Sequence, residues 1–181
     1  MRLLKNLSAF AAAATTGIFL GSAAIAGPTN VAFTATGKTT EYLIPTPGGP
    51  CPLAGMTTGS GTATYIGKIL LTATDCVTPQ PDGSFVFSNG KLVFTAVNGD
   101  TVTATYGPGS FIALTPGTIY TINYASFVIT GGTGVFSGAS GRGELHGTED
   151  VATMPATGEL QAIGVISLPN VQGNDRQAER K

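Results

Sequence analysis

Phe127-Val-Ile-Thr-Gly-Gly-Thr-Gly-Val-Phe-Ser-Gly-Ala-Ser-Gly-Arg-Gly-Glu-Leu145 reads as a strand, a glycine-dense corner and a second strand. Seven glycines stand between Gly131 and Gly147 inclusive, and in a helix interior each would cost about 1 kcal/mol relative to alanine. The segment is therefore not helical. Glycine takes positive φ without steric penalty, so Gly131, Gly132 and Gly134 are expected to fold the chain sharply. Val135 and Phe136 should then point into apolar packing, with Gly138 and Gly141 completing the corner. Corners of this kind suit a small sheet that closes on itself.

Working outward, the preceding segment Thr118 to Thr130 carries apolar residues on both faces: Ile119, Phe127 and Ile129 on one, Tyr120, Ile122, Tyr124 and Val128 on the other. That pattern predicts a strand covered on both sides. Asn98-Gly99 is a strong hairpin dipeptide, expected to form a two-residue type I′ turn between Lys91–Val97 and the strand starting at Asp100. Val97 would then face Asp100, with Val93, Val97, Val102 and Tyr106 on one side and Leu92, Phe94, Thr101, Thr103 and Thr105 on the other. Neither side is purely polar, so this register does not separate inside from outside.

The other strands follow from period-two alternation. Val31 to Thr36 is one, continued by Lys38 to Ile44 after Gly37. Pro45 to Pro52 is an irregular, proline-rich loop. Gly59 to Gly67 restarts a strand, with Gly67 as a bulge before Lys68 to Cys76, where Ile69, Leu71 and Ala73 share a face. Pro79 to Gly83 turns the chain into Phe85-Val-Phe87, which Ser88-Asn-Gly90 interrupts. Gly107 to Gly109 and Pro116-Gly117 are turns on either side of Ser110 to Thr115. Beyond the corner, Arg142, Glu144, His146 and Thr148 share one face, opposite Gly143, Leu145 and Gly147. Met154 to Gly158 is a loop, and Leu160, Ala162, Gly164, Ile166 and Leu168 line a closing strand. About eight strands with short turns and almost no helical periodicity predict an all-β chain, a single antiparallel β-barrel, with a sandwich as the structural alternative.

Arg2 and Lys5 precede an uncharged apolar run from Ala9 to Leu20, and Ala24-Ile25-Ala26 offers a small-residue cleavage site. This is the pattern of a signal peptide over residues 1–26, and it predicts a secreted or periplasmic protein. The barrel domain is expected over residues 27–170, and residues 171–181 read as a disordered polar tail. Losing Arg2 and Lys5 leaves seven basic residues against ten acidic ones, a net charge near −3. Such a chain has no basic field for nucleic acid or anionic lipid. Nothing after the leader has the length of an apolar membrane-spanning helix. With 27 threonines and 26 glycines, the strand exteriors are Thr-rich and charge-poor, which suits a solvated sheet or, alternatively, contacts in a homo-oligomer. Cys51 and Cys76, an even pair in an oxidising compartment, are expected to form a disulfide worth on the order of 3 kcal/mol. A reactive thiol or a metal pair is the other reading.

Thr130-Gly-Gly-Thr-Gly-Val-Phe-Ser-Gly-Ala-Ser-Gly141 resembles the signature of the allene oxide cyclase barrel and, less closely, that of plant dirigent proteins. It is paired upstream with Ala96-Val-Asn-Gly-Asp100, as in many uncharacterised secreted bacterial proteins. The match covers approximately residues 60–168. The resemblance implies a calycin-like barrel of about eight strands, with an apolar interior that holds or steers a hydrophobic reactive molecule. Ser140 stands where the dirigent signature has the arginine that helps line the cavity. The shared residues are those that shape a corner, so they speak for fold more than for activity.

Candidate chemistry is sparse. Arg142, Glu144 and His146 project together and could supply acid, base and counter-charge if they faced a lumen; on an outer face they form a solvated row. Tyr65, Tyr106 and Tyr124 are candidate ligand contacts, and packing residues otherwise. Glu149 and Asp150 are adjacent and point to opposite faces of a strand, so with His146 they make a poor metal site, and neither metal nor cofactor is expected. The leading expectation is a non-catalytic exported barrel that binds a small hydrophobic molecule or persists as a stable envelope component. The alternatives are a cyclase or isomerase of a hydrophobic substrate, by resemblance, and a self-associating structural subunit.

Overall fold

The structure, a computed structural model, describes residues 30–152 and 154–169, so the expected signal peptide and polar tail lie outside the described residues. The strands are β1 (Asn30–Pro45), β2 (Leu53–Ala63), β3 (Gly67–Pro79), β4 (Phe85–Ala96), β5 (Thr101–Thr115), β6 (Ile119–Gly132), β7 (Ser140–Asp150) and β8 (Ala156–Ser167). Each pairs antiparallel with its neighbour in the chain, and β8 returns to β1, closing an eight-stranded barrel. The expected barrel is present and the sandwich is excluded.

The hairpin at Asn98-Gly99 differs from expectation by one residue, and that difference sorts inside from outside. Thr95 pairs with Thr101 and Phe94 with Val102, while Ala96 N donates to Asp100 O at 2.8 Å and Gly99 N to Ala96 O at 3.0 Å. The loop is Val97-Asn98-Gly99, a three-residue turn with Gly99 alone at positive φ (+87°), the turn-plus-bulge alternative to type I′. A one-residue slip exchanges every face. Leu92, Phe94, Val102 and Ala104 therefore share the interior, whereas Val97 is 84% exposed.

Bulges account for the other departures. On β6 the pairing with β7 shifts between Thr121 and Ser126, which reverses the alternation there. Tyr120 points inward on one side of the shift and Ala125, Phe127 and Ile129 on the other, while Tyr124 and Val128 lie exposed outside. The strand is covered on one face only. Ser88-Asn-Gly90 and Gly107 to Gly109 are irregularities within continuous strands. Gly67 follows the β2–β3 turn, with Tyr65 also at positive φ (66°), so the chain reverses there where a bulge was expected.

At the corner, the one helical element among the described residues is a single 3-10 turn, Gly134–Phe136. Phe136 is buried as expected, but Val135 is half exposed. The 98–101 segment meets the corner here. Val135 N donates to Asp100 Oδ2 (3.1 Å), Thr101 N to Thr133 Oγ1 (2.9 Å) and Thr133 N to Thr101 O (2.9 Å). Gly134 has φ +56°, and a Cβ there would lie 1.9 Å from the Asp100 carboxylate. The glycine is required both by conformation and by space.

Cys51 and Cys76 are both half-buried free thiols, so the expected disulfide is not formed. Cys76 pairs with Ala54 across β2, which leaves Cys51 in the loop beyond the strand. Backbone bonds hold that loop instead, Thr46 N to Pro52 O (3.1 Å) and Gly49 N to Thr46 O (2.9 Å), together with a Thr46 Oγ1 bond to the Cys51 carbonyl.

Asp100→Ala is expected to lower stability by about 1 kcal/mol through its lost hydrogen bonds. Gly134→Ala should cost less in the Asp100→Ala background than in the wild type, because the clash is removed while the φ strain remains. Urea unfolding of the two single variants and the double variant measures this, and strict additivity would refute the contact.

Candidate functional site

The barrel's two ends differ. Toward the end that carries the glycine corner, Phe33, Phe94 and Phe127 fill the interior, with ring centroids 6.1 and 6.2 Å from Phe33. Ile166 and Val102, which are fully buried, complete that packing. Toward the other end the inward rows become polar. On β1, Phe33 and Ala35 share their parity with Glu41. On β3, Ile69, Leu71 and Ala73 lead to Asp75, and on β7, Leu145 leads to Glu149. Strand alternation thus delivers three carboxyl groups to one part of the lumen.

They line a cavity of about 60 Å³ with Thr57 and Tyr106, whose apolar wall includes Ala73, Phe87, Leu92, Phe111, Ile122 and Leu160. Tyr106 Oη donates to Asp75 Oδ2 at 2.9 Å. Asp75 Oδ1 is buried and has no hydrogen-bond partner. Glu41, 7% exposed, lies beside Glu149 and Thr57. Gly55 makes room for the cluster, since a Cβ on it would lie 2.1 Å from Asp75 Oδ1 and 2.7 Å from Glu41 Oε1.

Burial dominates the electrostatics. Loss of solvation, reinforced by the neighbouring Glu149 carboxyl, pushes Glu41 up to about 9. Burial also raises Glu149, so the two adjacent carboxyls resist ionising together. Asp75 is pushed up to about 6 by burial and by Glu41, with the Tyr106 hydrogen bond pulling the other way. The Tyr106 phenol is raised, first by burial and then by the Asp75 charge. Glu41 therefore holds its proton to higher pH than Asp75 does.

Among the expected site residues, only Tyr106 reaches this lumen. Tyr65, on the β2–β3 turn, and Tyr124, outside β6, are exposed at 54% and 56%. Arg142, Glu144 and His146 lie on the solvent face of β7, where His146 Nε2 stands 3.7 Å from Glu144 Oε2. Their parity opposite buried Leu145 puts them outside, so they do not form a lumenal acid–base set. Among the described residues, no group of His, Cys, Asp and Glu is arranged to hold a metal ion, and no helix is long and apolar enough to cross a membrane. In the sequence, Glu41 and Asp75 do not stand out, and Glu149 is weighed only as a metal ligand beside His146 and Asp150.

No protein-family model and no curated protein matches the chain. Among solved structures, that of a pterocarpan synthase dirigent protein is similar to it, with a TM-score of 0.41 and 12% sequence identity over 83% of this chain and 99% of that one.

The folded state keeps a proton on Glu41 that the unfolded chain releases above about pH 4.5. Stability should therefore fall as pH rises from that value until Glu41 itself ionises near 9, with Asp75 adding to the slope below about 6. Thermal unfolding across this range is expected to show the decline, and Glu41→Gln should flatten it. A wild-type profile that is flat or rising would contradict the assignment.

Proposed function

We propose that the barrel is a receptor for one small, largely apolar molecule, held in the polar half of the lumen with its functional group against the carboxyl cluster. The observation that carries this reading is the cavity itself, an apolar wall facing a few convergent polar groups, which is the usual composition of a small-molecule site. Its volume of about 60 Å³ accommodates about five water-sized groups. The occupant is accordingly small.

One observation favours a second reading, an isomerase or cyclase acting in the same cavity. Glu41 and Asp75 are pushed to about 9 and about 6, on either side of neutrality, and two titratable groups separated in this way can act as acid and base on one substrate. Incubating the protein with whatever molecule it retains, then testing whether that molecule returns isomerised, separates catalyst from receptor.

Titration of isotope-labelled protein with 1-butanol tests the receptor reading by NMR. Shifts are expected at Ala73, Leu92, Ile122 and Leu160, which line the cavity, while Phe33, Phe94 and Ile166 in the filled half stay unchanged. Shifts confined to exposed outer residues such as Leu70, Val97 and Val128 would overturn it.

A further inference from the structure

We infer that Asn98 is a site of spontaneous modification: its side-chain amide is lost through cyclisation and hydrolysis, and the carboxylate that replaces it loosens the contact between the β4–β5 hairpin and the glycine corner.

The chain contains two Asn-Gly dipeptides, Asn89-Gly90 and Asn98-Gly99. In such a pair the glycine nitrogen can attack the asparagine carboxamide, because no side chain on the glycine shields it. At Asn98, a bond from Gly99 N to Asn98 Cγ closes a cyclic succinimide as the Cγ–Nδ2 bond breaks. The Gly99 proton passes to the departing nitrogen, which leaves as ammonia. Water then adds to one of the two succinimide carbonyls and opens the ring, giving aspartate or its β-linked isomer with no change of oxidation state.

The fold separates the two dipeptides. Asn98 and Gly99 are exposed at the turn. Asp100 N donates to Asn98 Oδ1 at 3.1 Å, the oxygen on which negative charge gathers as the nitrogen attacks, so the turn carries its own oxyanion donor. Asn98 Nδ2 donates to Asp100 Oδ2 at 2.9 Å, which holds the carboxamide in that orientation. The bond from Gly99 N to Ala96 O, 3.0 Å, closes an exposed turn, where local opening costs little. Gly90, by contrast, is buried in β4 opposite Tyr106, and a Cβ on it would lie 2.5 Å from the Tyr106 ring. Closing a ring on Gly90 N would disrupt that packing. The consequence at Asn98 follows from its partner: Asp100 Oδ2 accepts from Asn98 Nδ2 and also from Val135 N of the corner. Exchanging the amide for a carboxylate removes the first donor and sets a like charge beside Asp100.

Incubation of the folded protein in mildly alkaline buffer, followed by peptide mapping, tests this. Asn98 is expected to convert about tenfold faster than Asn89. In the urea-unfolded chain the two dipeptides should react at similar rates, which ties the difference to the fold. The converted fraction, separated by ion exchange on its added negative charge, should unfold at a lower urea concentration than the unconverted fraction. Conversion of Asn89 at a rate equal to or above that of Asn98, a rate ratio that urea leaves unchanged, or identical urea midpoints for the two fractions would overturn the inference.

Discussion

The structure depends on how closely neighbouring backbones approach where the barrel closes. Gly37 faces Gly61 across β1 and β2, and Gly143 faces Gly164 across β7 and β8. A Cβ on Gly61 would lie 1.9 Å from Thr36 O, and one on Gly164 would lie 2.1 Å from Arg142 O. No side chain fits at those distances. Stripping side chains from these positions lets four strands coil tightly enough to bring β8 back to β1, and it leaves interior volume that aromatic rings from the other strands occupy. Phe127 sits against Gly143 and Phe87 against Gly109, where a Cβ would fall 2.7 and 2.3 Å from the ring carbons.

That distribution makes the barrel unequal along its axis. In the half near the corner, Phe33, Phe94, Phe127, Val102 and Ile166 are almost completely inaccessible and supply the apolar burial that offsets the entropy of ordering the chain. The other half contains Glu41, Asp75, Glu149 and Tyr106 at inward positions where aliphatic side chains would pack at lower cost. Like carboxyls crowded in a poorly solvated space contribute little to stability and raise one another's pKa. A fold that breaks the rule of an apolar interior at one place, with its polar groups converging on a void, has the form of a site.

Much of this was legible in the sequence. The glycine density after Ile129, the turn dipeptides and the alternation of Leu160 to Leu168 give strands, corners and a closed sheet, because those signals are local. Inside and outside were not legible around Asn98-Gly99, because a two-residue and a three-residue turn share the same dipeptide and differ only in which residues face each other. The extra residue on β6 likewise carries no composition signal, yet it separates inward Ile122 from outward Tyr124. The disulfide expectation rested on cysteine count and compartment, neither of which fixes where the β1–β2 loop places Cys51 relative to its strand.

The carboxyl cluster was hidden for a different reason. Glu41, Asp75 and Glu149 each sit on the inward parity of their own strand, and Asp75 directly extends the Ile69, Leu71, Ala73 face. Their convergence, however, needs the register of three strands that are far apart in sequence and the return of β8 to β1. Arg142, Glu144 and His146 alternate within five residues of one strand, a pattern visible along the sequence; a lumen is assembled from single residues on many strands. Asp100 and Gly134 lie at the packed end, while Glu41 and Asp75 lie toward the other. Residues that shape the corner and residues that line the cavity are therefore under separate physical constraints.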